Sequence, residues 1–432
     1  MNYAKILVQR LLGIDIIKVF SMNALATLIR MLTGMISVKV VAAIIGPAGI
    51  ALLGQLNNFS TIILTLAQGG INNGITKYVA EHKENDDVIK KYLSNALRIT
   101  VICTLVAGIV MILGCVQISD IILKTDEYYY VFIVFGFTLI LYTLNHLILS
   151  IINGYKQFKD YVKINIYGTI LNLIFTVVLV FFWGLIGALI NAVTFQSVVF
   201  FVTLWMCRKM PWMKREYFTG EFDKPIVKKY FGYSLMTITS MILFPVSQII
   251  LRGYVISNLS ITDAGIWEGM NRISSIYLSV ITTAFSVYYL PRISEISNPK
   301  ELHKEIIRCY KVIIPTLLLI SVSVYFLRYV ILWILFTPEF LPMESLFSWQ
   351  LTGDFLKICS WMLAFIMVAK AKTVLYISTE IIFTILYVVI SYTLVNVNGI
   401  VGLVQGYIVN YMLYFFTLSF VFKKIVFVKG HE

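Results

Sequence analysis

Charge is what this sequence has least of. Only 13% of its 432 residues are charged, whereas a soluble domain carries about 25%. At that density a water-facing surface cannot be covered, which excludes an ordinary soluble enzyme. Cysteine patterning is also missing. Cys103, Cys115, Cys207, Cys309 and Cys359 are scattered, with no C-x-x-C and no zinc spacing, so they read as plain core residues without a redox or metal role. No metal, no cofactor and no catalytic residue is expected. Long polar inserts are lacking too. The longest runs from about 207 to 229, too short for a catalytic domain. No small-residue cleavage site follows the basic, amphipathic start from Met1 to Lys18, so the first apolar span is expected to be retained as a signal anchor.

What the sequence does have is hydrocarbon. Fifty-nine per cent of the residues are hydrophobic. Apolar stretches of twenty or more residues recur from end to end, each long enough to cross about 30 Å of hydrocarbon. In lipid such stretches must be helices, because every backbone polar group has to be satisfied internally. Twelve spans are expected, from a first near 17–45 to a last near 400–422. The fold class is an all-α membrane protein.

The distribution of basic residues sets an orientation. With the N-terminus in the cytoplasm, one set of loops holds Lys5, Arg10 and Lys18, then Lys77 to Arg98, then Lys156, Lys159 and Lys163. The same side takes 208–229, 292–311, Lys370 and Lys372, and Lys423, Lys424 and Lys429. The opposite loops hold Lys124. By the positive-inside rule both termini are cytoplasmic. The net charge of +13 then needs no nucleic acid to explain it, and these loops suit an anionic membrane-lipid surface.

An internal repeat divides the chain. Ala48-Gly49-Ile50 opens the second span, and Ala264-Gly265-Ile266 opens the eighth, half the chain later. Downstream, Lys77/Glu81 fall near Arg292/Glu295, and Gly154-Tyr155-Lys156 near Lys370-Ala371-Lys372. Two six-helix halves of equal orientation are expected to be related by a pseudo-two-fold axis normal to the membrane, with the substrate path between them. This reading makes 1–206 an N-terminal lobe, 207–229 a cytoplasmic linker and 230–432 a C-terminal lobe.

Charges inside the spans are costly and usually functional. The basic ones are Arg30, Lys39, Arg252, Arg272, Arg328 and Lys357; the acidic ones are Glu268, Asp354 and Glu380. The basic excess suits an anion with a diphosphate's charge, because guanidinium forks match phosphate oxygens and lysine adds a point charge. Arg30, Lys39, Arg252, Arg272 and Lys357 are therefore the candidate substrate contacts. Arg30 and Lys39 lie nine residues apart, about half a turn around the helix, so they point to one cavity only if the span bends. Glu268 and Arg272, at i,i+4, are expected to share a face. Asp354 is the first candidate for ion coupling, and Glu380 is open between coupling and a structural hydrogen bond. Arg328 reads as a snorkelling residue, and Arg98 and His146 as structural. Pro245 and Pro315 are expected to kink their helices. Tyr128 to Tyr130, Trp183 and Trp333 read as interfacial anchors.

Several segments together resemble the Wzx group of bacterial polysaccharide flippases. They are Gly46-Pro47-Ala48-Gly49, Gly74-Ile75-Thr76-Lys77-Tyr78-Val79-Ala80, Gly265-Ile266-Trp267, Ala284 to Pro291, Trp349 to Lys357 and Val368-Ala369-Lys370-Ala371. The resemblance covers nearly the whole chain and is closest to flippases of O-antigen units and of enterobacterial common antigen. It implies the multidrug/oligosaccharidyl-lipid/polysaccharide exporter fold and transfer of an undecaprenyl-diphosphate-linked oligosaccharide to the periplasmic leaflet of the inner membrane. Alternating access, driven by an ion gradient, is the family expectation. Lys39, Arg252, Asp354, Lys357 and Glu380 match charged positions of the family pattern, and Arg30 falls at a basic one. Where relatives carry an arginine in the second span this chain has Asn57, and Arg272 stands near the repeat-related place. A polysaccharide polymerase and a chain-length regulator are further candidate partners. Sugar selectivity is expected to involve Gln55, Asn57, Asn72, Asn271 and Gln405. Two other classes compete. A drug antiporter would share the fold, but its cleft should favour acids. A polymerase, ligase or membrane glycosyltransferase would need an extramembrane catalytic region that is absent.

Overall fold

A computed structural model describes residues 2–426, and the side chains among them except those of 2–25, 233, 236, 286, 287, 424 and 426. Lys5, Arg10, Lys18, Lys424 and Lys429, which the orientation argument uses, lie outside the described side chains. Among the described residues the chain is helical and contains no strand. Seven helices fill the first part: α1 (Asn2–Ala67), α2 (Asn72–His82), α3 (Asp86–Leu113), α4 (Cys115–Leu123), α5 (Tyr129–Gly154), α6 (Phe158–Cys207) and α7 (Lys224–Asn258). Eight follow: α8 (Ile261–Ala284), α9 (Leu290–Glu295), α10 (Pro299–Phe326), α11 (Arg328–Leu335), α12 (Glu344–Ala369), α13 (Thr373–Asn398), α14 (Val401–Val421) and α15 (Lys423–Val426).

Nine helices among the described residues are long and apolar enough to cross a membrane. Two of them, α1 and α6, each hold two of the expected spans, folded at Gly46 and at Gly184. A further expected span, α8, is not among the nine; it carries Asp263, Glu268 and Arg272. The arrangement is consistent with twelve crossings. The faces are inverted relative to a soluble protein. On α3 the exposed stripe is Ile102, Leu105, Val106, Ile109, Val110 and Leu113, while Ser94, Asn95, Thr100 and Thr104 are buried. That stripe at 3–4 residue spacing suits lipid, and the polar face suits helix–helix contact. The chain is a multi-pass membrane protein.

The sharp breaks occur at glycine, not at the prolines. Gly46 has φ 61° and ψ −171°, a combination open essentially to glycine alone, and Pro47 behind it suits the first turn of the new helical segment. By contrast α7 and α10 run through Pro245 and Pro315 without a non-helical residue inside them. The expected proline kinks are therefore not sharp breaks of the backbone. A π-helical turn, Phe285–Tyr289, joins α8 to α9. Pro291, which has no N–H to donate, follows it, and the Tyr289 hydroxyl donates to the Met362 carbonyl at 2.8 Å.

The chain divides into two compact units. The first comprises Met1–Ile44 and Ser60–Ile238, the second Ile45–Phe59 and Thr239–Glu432. In the first, α2, α3 and α5 enclose Ile71, Ile75, Val79, Ile89, Leu93 and Ile151. The 207–229 segment is folded onto this core. Trp212 and Tyr217 are buried, Trp212 stacks on Tyr155, and Arg98 donates to the Gly220 carbonyl at 2.7 Å. Asn95 donates to the Glu221 carbonyl at 3.1 Å and accepts from the Asp223 N–H at 3.0 Å. Arg98 is thus structural, as expected, and His146 stacks on Tyr142. In the second unit α12 is central, packing against α8, α10 and α14. Phe285, Tyr289, Ile293, Ile306, Ile358 and Met362 form part of its core.

Candidate functional site

The second unit carries two charged clusters. The first is built where α7, α8 and the part of α1 after Gly46 come together. Gly265 lies so close to Pro47 that a Cβ there would stand 1.8 Å from the Pro47 carbonyl oxygen. This contact explains Gly265, because only backbone against backbone permits the approach; in the other motif Gly46 is set by its positive φ, and a Cβ on Gly49 would meet the Ile45 side chain at 2.6 Å. One turn further along α8, Glu268 lies over Gly54. Its Oε2 pairs with Nη2 of Arg252 at 2.5 Å and its Oε1 with Nε of Arg272 at 3.2 Å. The i,i+4 pair expected from the sequence is formed, and α7 adds a second guanidinium to the same carboxylate. Arg252 is 1% exposed. Its Nη1 donates to Gln55 at 3.3 Å, its guanidinium lies 5.3 Å from the Trp267 ring, and its Nε is buried without a hydrogen-bond partner among the described residues. Gln55 in turn donates to the Ile249 carbonyl and is fully buried. It holds Arg252 rather than facing an open sugar site.

The second cluster centres on α12. Asp354 is 1% exposed. Its Oδ1 accepts from Tyr407 at 2.8 Å and Gln350 at 3.2 Å, and its Oδ2 accepts from Ser274 at 2.5 Å and from the Tyr277 hydroxyl. Four donors from three helices converge on one carboxylate. Lys357, one turn on, makes no ion pair with it within 4 Å among the described residues. Its ammonium instead sits among four rings, 4.9 Å from Trp361, 5.1 Å from Phe244, 5.5 Å from Tyr407 and 5.6 Å from Tyr411. Such a cage stabilises a cation through the negative ring faces. Glu380 on α13 accepts from Tyr414 at 3.3 Å. Tyr407, Tyr411 and Tyr414 form a row along α14 linking the Asp354, Lys357 and Glu380 surroundings.

The remaining candidates stand on other elements. Arg30 and Lys39 belong to the first unit. No helix break separates them, so they keep the opposed directions that nine residues impose. Arg30 is exposed and Lys39 half-buried. Arg328 begins α11 and pairs with Glu344 at 3.3 Å between the Tyr325 and Tyr329 rings. That pairing leaves a smaller intramembrane cation excess than the sequence count suggests. Asn72 donates to Gln68, and Asn398 to Gln405 at 2.6 Å. Sequence reasoning missed the tyrosines. The signal was there in Tyr407, Tyr411 and Tyr414, spaced by four and three residues in the middle of an apolar span, where an interfacial anchor has no reason to be.

Comparison with known proteins places the chain in a family and a fold. A family model described as polysaccharide biosynthesis protein matches residues 16–297. The lipid III flippase of Escherichia coli (strain K12) is 26% identical over 393 residues, covering 91% of this chain and 94% of that protein. The lipid III flippase of Shigella flexneri matches equally. Among solved structures, an inward-facing multidrug resistance MATE family transporter of the MOP superfamily superposes with a TM-score of 0.71 at 13% identity, over 94% of this chain and 100% of that one. The likeness shows the transporter fold.

Proposed function

We propose, from the premise that the chain belongs to the polysaccharide biosynthesis protein family, that it is a flippase for a lipid-linked oligosaccharide. The curated relatives it matches over nearly their whole length are named lipid III flippases, which supports a polyprenyl-diphosphate carrier as the cargo. In the finer reading the cargo is an undecaprenyl-diphosphate-linked oligosaccharide, an O-antigen unit or lipid III. It moves from the cytoplasmic to the periplasmic leaflet of the inner membrane, and both termini are cytoplasmic. The observation that carries the reading is the pair of guanidiniums of Arg252 and Arg272 on one carboxylate inside apolar helices. Arg272 spends its Nε on Glu268, and its Nη atoms have no protein acceptor among the described residues. That fork is the group that meets phosphate oxygens. Arg30, Lys39 and Lys357 are the further cationic candidates. A drug exporter of cations would place acids there instead.

The chemistry follows from solvation. Carrying a diphosphate through hydrocarbon costs several kcal/mol or more unless fixed donors replace its water. Arginine forks supply those donors while the polyprenyl chain stays in lipid. A ligand with equal affinity for two states shifts neither, so a net cycle needs a second group that changes its interactions. Asp354, held by four donors, is proposed for that coupling, with Glu380 as the second candidate.

The test is flipping by the purified protein in proteoliposomes. Arg272→Ala and Arg272→Asn should lose transport at normal expression, and Arg272→Lys should retain part of it. Full transport by Arg272→Ala overturns the assignment of the site. Transport that ignores both pH and sodium gradients removes the coupling role of Asp354 and Glu380.

A further inference from the structure

Glu268 stands out as an acid placed where the proposed function needs cations. It is not a surface partner recruited by chance. Its carboxylate bridges an arginine that is 1% exposed and one that is 17% exposed, while being 13% exposed itself. Room for it is made by the neighbouring helical segment. A Cβ on Gly54 would lie 2.7 Å from the Glu268 Cδ and 2.9 Å from its Cγ and Oε2. Any larger residue at that place pushes the carboxylate off its seat. The two oxygens engage the two guanidiniums much as two oxygens of a phosphate would.

We infer that Glu268 is an internal competitor for the substrate's phosphate: a tethered carboxylate that shares the Arg252 and Arg272 guanidiniums with the lipid diphosphate and so limits how tightly the headgroup is held. The inference rests on reading the arginines as a phosphate site. With the carboxylate in place the three side chains carry one net positive charge; without its charge they carry two. A transporter gains nothing from a headgroup it cannot release, since only differential affinity between states moves a cycle forward. A tethered anion supplies release. As the diphosphate leaves, Glu268 retakes the guanidiniums, and Arg252 is spared the cost of a buried, unpaired charge. Arg252 is the fixed half of the site, sealed by Gln55 and Trp267. Arg272, more exposed and with no acceptor for its Nη atoms among the described residues, is the half that first meets phosphate.

Two substitutions separate this role from a merely structural salt bridge. Glu268→Gln keeps an acceptor for Arg252 and removes the charge. Gly54→Ala keeps the charge and displaces the carboxylate. The full-length protein in lipid nanodiscs is titrated with a short-chain prenyl diphosphate, with the corresponding prenol as the uncharged control. Glu268→Gln should bind the diphosphate about tenfold more tightly than wild type, Gly54→Ala should shift in the same direction, and the prenol should show no difference. In proteoliposome flipping, Glu268→Gln should lower KM and kcat together, whereas loss of a purely structural bridge would lower kcat without lowering KM. If wild type binds the diphosphate and neither variant binds it more tightly, the competitor role is wrong and the phosphate site stands. If wild type binds no diphosphate, the phosphate site falls and the inference with it. Should Glu268→Gln fail to fold, Gly54→Ala alone decides.

Discussion

The two units are built on one plan and filled with different chemistry. Helices α3 and α10 are each 28 residues long, and each is followed by a short helix, α4 or α11. Then come α5 and α12, each of 26 residues. Even the irregular positions recur. Lys156 after α5 and Ala371 after α12 both have positive φ, at 58° and 51°. Gly184 and Gly399 make the next sharp turn with φ 54° and 59°. Inside, however, the first unit joins helices through neutral groups: Thr104 with Thr143 at 2.9 Å, Asn145 with Gln196 at 2.8 Å, Asn191 with Thr176 at 2.9 Å. Inside its own helices the second unit has Arg252, Glu268, Arg272, Asp354, Lys357 and Glu380. Neutral pairs in lipid are worth about 0.6 kcal/mol each, enough to set helix register. Charges there cost several kcal/mol, so stability does not explain them. Duplication accounts for the frame, and the proposed transport role accounts for the density of charge in the second unit.

The sharpest way to break that contrast is at Asp354. Replacing it with alanine strands the donors of Ser274, Tyr277, Gln350 and Tyr407. At about 1–3 kcal/mol for each buried unsatisfied group, Asp354→Ala should cost at least about 4 kcal/mol in reversible unfolding from detergent micelles. Asp354→Asn keeps an acceptor and should cost about 1–2 kcal/mol. Equal losses for the two would mean that the converging donors do not act as a network. The shared frame is tested next. A Cβ on Gly187 would stand 1.9 Å from the Leu179 carbonyl oxygen, and one on Gly402 stands 2.2 Å from that of Leu394. Gly187→Ala and Gly402→Ala should each lose about 3 kcal/mol through forced backbone shifts. If one is tolerated and the other is not, these two turns are not equivalent.

The same contrast divides what is legible in the sequence from what is not. The spans are legible because lipid demands long apolar runs, and the pairing of Glu268 with Arg272 because helical spacing alone determines it. The breaks at Gly46 and Gly184 fall in the gaps between expected spans, because the apolar runs end there. What misleads is proline: Pro245 and Pro315 attract an expectation of kinks, and their helices run through without a non-helical residue. Asp354 and Lys357 invite pairing because they are near in sequence. In space each finds better partners on other helices, hydroxyls for the carboxylate and rings for the ammonium. Those partners come from α7, α8 and α14 as well as α12 itself, and neighbours across helices follow from tertiary packing, which spacing within one helix does not report.

The smallest expected effect sharpens the contrast from the other side. Thr104 also donates to the Ala67 carbonyl at 3.1 Å, and its contact with Thr143 is fully buried. Valine fits either place with nearly the same shape and no hydroxyl. A double-mutant cycle with Thr104→Val and Thr143→Val should give a coupling of about 0.6 kcal/mol. Transport in proteoliposomes should be unchanged in both single variants, because neither side chain belongs to the charged clusters. A coupling above about 2 kcal/mol would exceed what neutral groups supply in lipid. Lost transport with intact stability would place function in the first unit's polar interior as well. Either result would end the division between helices joined by neutral pairs and helices joined through charged clusters, and lost transport would move the search for substrate contacts toward Asn145, Asn191 and Gln196.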